Sequence, residues 1–265
     1  MTAELSGSRQ NLTAPNYPQR VRNELRFRNL TVLSSERIAG CFQRLVFGGD
    51  DLTGFVSAGF DDHIKLFFPQ PGSSFAPPTI TADGIVWEND IRPASRDYTP
   101  MFDAERNELT LDFYLHQSGV ASDWASQARP GDRLTVGGPR GSLVVPEDYR
   151  WQLYACDETG MPALLRRLEA LSKLTVPVEV TALISVKDAA CKDYFSHLPA
   201  FSPEWFIGDN QQAVAQRLAQ LTLPENDYYL WLTGEGKTVK AWSEIVENQQ
   251  VDERLLRAVA YWHSK

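Results

Sequence analysis

The sequence predicts two domains, an antiparallel β-barrel of the six-stranded type followed by an α/β domain with a mostly parallel sheet. The chain has 265 residues, which is long for one compact domain. Up to about residue 148, short apolar or alternating runs recur between turn-forming clusters, whereas after about residue 149 strand-like and helix-like segments alternate. We therefore divide the chain into a polar lead-in over 1–24, a barrel over 25–148 and an α/β domain over 149–265.

The first domain is predicted from strand-like segments with turn residues between them. The lead-in is polar and broken by Pro15 and Pro18, so we expect it to be loosely held. The predicted strands are Phe42–Phe47, Ile64–Phe68, Leu109–His116 and Leu134–Val145. The turn clusters between them are Gly48–Asp51, Pro71–Ser74 and Pro130–Asp132.

One predicted strand of the barrel alternates cleanly between apolar and polar residues. Its apolar positions are Leu109, Leu111, Phe113 and Leu115, and its polar positions are Thr110, Asp112, Tyr114 and His116. Successive side chains of a strand point to opposite faces. We therefore expect one face in the core and the other face free to bind a ligand.

The second domain is predicted from strands that alternate with amphipathic helices. The predicted strands are Leu153–Cys156, Val176–Val186, Trp205–Ile207 and Tyr228–Thr233, and Leu255–Trp262 is the last apolar segment. The predicted helices are Met161–Leu171, Ala213–Leu221 and one around Val239–Val246. In such a fold, ligand sites lie beyond the carboxyl ends of the parallel strands.

Charge and composition exclude several functional classes. The formal charge of −8 provides no positive field to attract nucleic acid. The three cysteines, Cys41, Cys156 and Cys191, are widely spaced and suggest neither a disulfide framework nor a thiolate metal site, which fits a reducing cytoplasm. We see no signal peptide and no apolar stretch long enough to cross a bilayer. We therefore expect a cytoplasmic protein, a monomer, with no membrane or nucleic-acid partner and no bound metal.

A short motif, Arg96–Pro100, combines side chains that suit a flat, phosphorylated cofactor. A guanidinium group fits phosphate oxygens, and a phenol offers both a flat face and a hydrogen-bond donor. The motif resembles the flavin-holding run of the ferredoxin-NADP reductase superfamily, and this resemblance makes Arg96, Tyr98 and Thr99 candidate cofactor ligands. The alternative is an ordinary strand with a surface arginine.

Several further runs, in the same order along the chain, carry a family resemblance. They are Asp61–Pro69, Asp112–His116, Gly119–Ala125, Gly138–Ser142 and Asp157–Ala163, the last preceded by Cys156 where a glycine is usual. Together with the Arg96–Pro100 motif, they resemble the siderophore-interacting proteins of the ferredoxin-NADP reductase superfamily. The resemblance covers about residues 25–265 and implies a barrel that binds FAD, followed by a nicotinamide-binding-like domain.

The resemblance implies which residues hold FAD. Those expected as flavin or other FAD contacts are Arg96, Asp97, Tyr98, Thr99, Asp112 and His116. Those expected beside the phosphates and the adenosine are Ala121, Ser122 and Trp124. A structural hydrogen bond at a strand end is the alternative for His116.

The resemblance also implies a cationic substrate site for an anionic ferric siderophore. Lys65 and Arg140 are the expected contacts, and two solvated surface cations are the alternative. The family commonly has an arginine after a Tyr-Trp pair near the end of the chain. Here His263 replaces it and Lys265 follows, so the third substrate cation is open.

The electron donor is expected at the second domain. Thr159, Gly234 and Glu235 are the expected nicotinamide contacts. Lys187 is either a ligand of a ribose 2′-phosphate or an ordinary surface lysine. A helix that starts near Pro162 favours a phosphate, but the acidic pair before it, Asp157–Glu158, opposes one.

The implied activity is FAD-mediated, one-electron reduction of a ferric siderophore, with NADH, NADPH or reduced ferredoxin as the donor. The flavin carries the chemistry, so we expect residues that position the reactants and no catalytic acid or base. One alternative is a ferredoxin- or flavodoxin-type NAD(P)H reductase, which the charge of −8 disfavours because an acidic carrier requires a basic surface. The other alternative is a flavin-containing siderophore carrier without catalysis.

Overall fold

The structure is a computed structural model that describes residues 16–69, 77–81, 84–87, 92–116 and 118–264. Three of the sequence expectations concern residues outside these ranges. The first 15 residues of the lead-in, the predicted turn Pro71–Ser74 and Lys265 lie outside the described ranges.

The amino-terminal half forms a curled antiparallel sheet, as predicted. Its elements are β1 (Gln19–Arg22), β2 (Phe27–Ile38), β3 (Phe42–Gly48), β4 (Ile64–Phe68), β5 (Thr79–Thr81), β6 (Gly84–Val86), β7 (Ala94–Tyr98), β8 (Met101–Asp103), β9 (Glu108–Tyr114), α1 (Val120–Gln127), β10 (Arg133–Gly137) and β11 (Gly141–Val144). The main sheet has seven strands in the order β7-β4-β10-β2-β3-β9-β8. Strand β1 pairs with β11, and β5 pairs with β6.

Two local expectations for this half were wrong. The segment predicted as one strand, Leu134–Val145, is two strands, because Gly138 takes a φ of 101° and Pro139 has no N–H to donate. Residues 19–22 of the lead-in are not loose, since β1 pairs along its whole length with β11. The small-residue segment after Gly119 forms the helix α1.

The alternation predicted for the ligand-facing strand is confirmed. In β9, Leu109, Leu111 and Phe113 are fully buried in the barrel core. Asp112 and Tyr114 lie on the opposite face, which lines a cleft between the two halves of the chain.

The carboxyl-terminal half is the predicted parallel sheet with helices. Its elements are β12 (Trp151–Cys156), α2 (Met161–Leu171), β13 (Glu179–Val186), β14 (Glu204–Ile207), α3 (Gln211–Gln220), β15 (Tyr228–Glu235), α4 (Gly236–Glu247) and β16 (Leu256–Trp262). The strand order is β14-β13-β12-β15-β16, and every neighbouring pair is parallel. The carboxyl ends of these strands therefore meet at one edge, where the fold class places ligands.

The two halves share part of one hydrophobic core. Cys41, Phe42 and Phe60 belong to the first half by sequence but are buried in the cluster formed by the parallel sheet and its helices. Phe60 is the clearest case, since its ring lies 5.5 Å from that of Trp231 between centroids. The halves are therefore packed against each other by apolar contacts as well as by polar ones.

Two polar links and a disulfide also join the halves. Asp61 accepts hydrogen bonds from Arg257 of β16 and from the Trp231 indole, and Asp61 is buried. Cys41 and Cys191 form a disulfide across the interface, so the expectation of no disulfide was wrong. The spacing of 150 residues gave no sign of this pair, because only the docking of the two halves brings the cysteines together.

No helix in the described ranges combines the length and the apolar character needed to cross a membrane. Among the same residues, no group of three or more histidine, cysteine or acidic side chains could hold a metal ion.

Candidate functional site

A cleft of about 1040 Å³ lies between the barrel and the carboxyl-terminal edge of the parallel sheet. Residues of β7, β9 and the start of α1 form one wall. The turn after β12, the start of α3 and the ends of β15 and β16 form the other. A cleft at the end of a parallel sheet and at a domain boundary is a usual place for a cofactor.

The barrel wall presents the motif that the sequence singled out. Arg96, Tyr98 and Thr99 all line the cleft. The Tyr98 ring is fixed from behind by Phe113, with 4.4 Å between ring centroids, and burial raises the pKa of the Tyr98 phenol. Arg96 is exposed, and its guanidinium donates to the neighbouring Ser95 carbonyl. The wall therefore offers a rigid aromatic face with a cation beside it.

The loop after β9 shapes the same wall. His116 and Ala121 line the cleft. Gly119 has a φ of 155°, and a Cβ there would lie 2.7 Å from the His116 ring, so this position requires glycine. Ser122 holds the loop: its hydroxyl accepts from the His116 N–H and donates to the His116 carbonyl. Ser122 thus serves the cleft indirectly, through His116.

Asp112 lines the cleft, but its carboxylate is engaged in a link between the halves. Arg44 binds both carboxylate oxygens, at 2.8 and 2.6 Å. The Tyr194 hydroxyl donates to the same carboxylate, and Asp112 is buried. This carboxylate therefore fixes the floor of the cleft.

The structure separates three other predicted contacts from the cleft lining. Trp124 packs on the barrel core instead, stacked 6.4 Å from Phe47 between centroids. Lys65 does not line the cleft, but its ammonium lies 2.7 Å from the carboxylate of Asp97, which does. Arg140 also lies outside the lining, on an exposed turn.

The turn after β12 gives the opposite wall two buried carboxylates. Asp157 accepts from the Thr159 N–H at 2.8 Å and from the Trp262 indole at 2.7 Å. Glu158 accepts from the Lys187 N–H at 2.6 Å. Burial raises the pKa of both carboxyl groups, and hydrogen bonds to them oppose this rise. The acidic pair therefore takes up the nearby donors that a phosphate would need.

The remaining predicted donor contacts lie around this wall. Thr159, Glu235 and Lys187 line the cleft. The Lys187 ammonium lies 3.6 Å from the carboxylate of Asp209, and both side chains are about half exposed. Gly234 is buried and does not itself line the cleft, whereas His263 does.

Several residues that line the cleft were not selected from the sequence. His63 precedes β4, and Tyr114 extends from the polar face of β9. Trp262 ends β16 and remains 41% exposed although it is large and apolar. Tyr114 could have been selected from the sequence, because it lies on the polar face of β9. His63 and Trp262 could not, because only the packing of the two halves brings them to the cleft.

Comparison with known families gives two matches that together cover most of the chain. Residues 31–143 match the siderophore-interacting FAD-binding domain. Residues 149–265 match the siderophore-interacting protein family.

Individual relatives agree with these matches. The chain is 62% identical to the NADPH-dependent ferric-chelate reductase of Escherichia coli over 95% of this chain and 98% of that protein. It is 30% identical to the ferric vibriobactin reductase ViuB of Vibrio cholerae, over 83% of each. A siderophore utilization protein from T. fusca superposes with a TM-score of 0.83 at 30% identity, over 93% of this chain and 96% of that one.

Proposed function

The chain belongs to the siderophore-interacting protein family, and on this premise we propose that it is an NADPH-dependent reductase of ferric siderophores and related ferric chelates that works through bound FAD. The observation that carries the proposal is the cleft of about 1040 Å³ between Tyr98 of the barrel and the edge of the parallel sheet. The Escherichia coli relative is an NADPH-dependent ferric-chelate reductase, which supports the choice of donor and substrate.

The residues of the barrel wall fit FAD. Tyr98, held by Phe113, provides a flat face for an aromatic ring system. Arg96 and Thr99 provide a cation and a hydroxyl beside it, and His116 closes the wall where Gly119 allows the chain to turn. In the proposal, Ala121 and the start of α1 lie beside the phosphates. Bound FAD supplies the chemistry of accepting two electrons as a hydride and passing them on one at a time.

Residues near the cleft suit an anionic ferric chelate. His63 and His263 line it. Lys65 is paired with Asp97, which lines the cleft. Arg140 is exposed and lies two residues after Gly138, which is close to the backbone carbonyl of His63. We assign these side chains to chelate binding, because the cations Lys65 and Arg140 lower the cost of bringing a negative complex to the site and an imidazole can donate a hydrogen bond to it. Each NADPH reduces two Fe(III) to Fe(II) with release of NADP⁺ and H⁺, and Fe(II) is held less tightly by oxygen ligands.

The donor is assigned to the α/β wall. Thr159 and Lys187 are the proposed contacts, with Lys187 toward the 2′-phosphate. Because Asp157 and Glu158 occupy the turn before α2, the pyrophosphate of NADPH is expected to lie away from that turn. Reduced ferredoxin is the alternative donor, and we propose a monomeric protein that works in the cytoplasm, where NADPH is available.

Anaerobic spectroscopy tests the proposal directly. The purified protein should be yellow, or should become so with added FAD, and NADPH should bleach it. A ferric tris(catecholate) complex should then restore the colour, with a ferrous chelator reporting two Fe(II) per NADPH. A protein that cannot be loaded with FAD would overturn the proposal, and a flavin that binds but is never reoxidised by the chelate would indicate a carrier. Reduction by ferredoxin but not by NADPH would replace the donor.

A further inference from the structure

The turn at the end of β15 holds the last described residues of the chain. One carboxylate oxygen of Glu235 accepts from the backbone N–H groups of Lys237 and Thr238, at 2.7 and 3.1 Å, and so caps α4. The other oxygen accepts from the N–H and the hydroxyl of Ser264, at 3.2 and 3.0 Å. These hydrogen bonds lower the pKa of Glu235 to about 2. The carboxylate therefore stays ionised, and all its contacts are to this chain.

The two glycines that flank Glu235 make room for the same segment. A Cβ on Gly236 would lie 2.3 Å from two atoms of the His263 ring, so the ring packs where a side chain would otherwise be. Gly234 has a φ of 139°, and a Cβ there would lie 2.7 Å from the Asp157 carboxylate. That carboxylate accepts from the Trp262 indole at 2.7 Å. We call Gly234–Gly236 the tail cradle and residues 262–264 the tail.

We propose that Glu235 and Gly236 are positioning residues, which seat the tail so that His263 faces the bound ferric chelate. This inference rests on the proposed function. His263 and Trp262 both line the cleft. The His263 ring packs on Gly236 of the tail cradle. The Trp262 indole donates to the Asp157 carboxylate, which lies against Gly234. An imidazole held in one orientation offers an N–H to the oxygens of an anionic complex at a lower entropic cost than a mobile side chain.

The same geometry argues against the sequence expectation that Gly234 and Glu235 contact the nicotinamide. Gly234 is covered by Asp157, and each oxygen of the Glu235 carboxylate accepts two hydrogen bonds from the chain. With the tail seated, both oxygens of the Glu235 carboxylate are engaged within the chain. The cradle is therefore assigned to the chelate side of the reaction.

Three variants test the assignment in the FAD-loaded, full-length protein. Glu235→Gln keeps only one accepting oxygen, so the side chain can no longer accept from both the α4 N–H groups and Ser264, and the hold on the tail is weakened. Gly236→Ala pushes the His263 ring away, yet alanine is the better helix former at this position, so folding should not suffer. His263→Ala removes the ring itself. For each we expect the KM for ferric tris(catecholate) to rise about tenfold, as for one lost charge-assisted hydrogen bond, with kcat and the KM for NADPH within about twofold.

A matched control and a double variant make the test selective. Asp252→Asn is the control, because Asp252 is another helix-capping carboxylate with a pKa of about 2. Asp252 binds Tyr17 and Arg254 outside the cleft. This variant should leave kcat and both KM values unchanged. In the His263→Ala background, Gly236→Ala should have no further effect, because the ring it displaces is gone.

The outcomes separate this inference from the proposed function. If wild-type protein fails to reduce the chelate with NADPH, the proposed function fails. If it turns over but Gly236→Ala equals wild type, or changes the KM for NADPH instead, only the positioning role is overturned. Additive effects of Gly236→Ala and His263→Ala would also overturn it.

Discussion

Removing the buried carboxylate of Asp61 should destabilise the protein strongly. The Asp61 side chain is 1% exposed and the Arg257 side chain 21% exposed, so the ion pair between the two halves is largely shielded from water. Asp61→Ala leaves the Arg257 guanidinium and the Trp231 indole N–H without their acceptor. Breaking such a buried pair costs about 3–5 kcal/mol, and the partial exposure of Arg257 places the expected loss near the lower end, at about 3 kcal/mol.

Urea unfolding followed by tryptophan fluorescence and far-ultraviolet circular dichroism measures this loss. Removing both charges with Asp61→Leu and Arg257→Met should recover most of it, because no unpaired charge is then buried. Lys240→Ala breaks an exposed pair with Glu244 and serves as the control, with an expected change below about 1 kcal/mol. Two results would refute the reasoning. One is a loss of unfolding free energy below about 1 kcal/mol for Asp61→Ala. The other is a loss for the double variant that equals the sum of the losses for Asp61→Leu and Arg257→Met alone.

Three further predictions follow from the disulfide, the buried acids and the donor wall. The Cys41–Cys191 bond closes a loop of 150 residues, so reducing it, or replacing Cys41 with serine, should lower the free energy of unfolding by up to about 5 kcal/mol. Identical urea midpoints with and without dithiothreitol would contradict this. Burial raises the pKa of Glu158 above its ordinary value of 4.5, so the folded state binds the proton more tightly and wild-type stability falls as the pH rises through this range. Glu158→Gln should therefore gain stability relative to wild type as the pH is raised above 4.5, and a difference that does not vary with pH in urea melts would rule this out. Lys187→Ala should raise the KM for NADPH about tenfold and leave the KM for NADH unchanged. Asp209→Asn removes the charge paired with Lys187 and should lower the KM for NADPH. Equal effects on both dinucleotides in steady-state assays would show that Lys187 does not bind the 2′-phosphate.

Local patterns allowed much of the fold to be predicted. The period-two alternation of β9 identified both the core side chains and the face that lines the cleft, because a strand repeats every two residues whatever it packs against. The helix Met161–Leu171 was predicted with the bounds that the structure has. The motif at Arg96, Tyr98 and Thr99 lies at the cleft wall, and its contact with FAD stays a prediction.

Contacts between distant segments could not be predicted in this way. Asp61 and Arg257 are 196 residues apart, and neither neighbourhood indicates the other. Asp112 was expected as an FAD contact from the family resemblance, and nothing in the sequence indicated that Arg44 and Tyr194 engage its carboxylate. Glu235 was expected at the nicotinamide because it follows a predicted strand, and nothing in the sequence indicated that Ser264 donates to it. Both ligand roles stay predictions.

The insertion of Phe60 into the partner half has a practical consequence for dissecting the molecule. Its ring lies between those of Tyr154, Tyr229 and Trp231, with centroids 6.1, 6.5 and 5.5 Å away. A fragment cut near residue 148 would expose this phenyl group to solvent and leave a hole of matching shape in the other fragment. Isolated halves should therefore aggregate, and chimeras between relatives should exchange Phe60 together with the three rings that surround it.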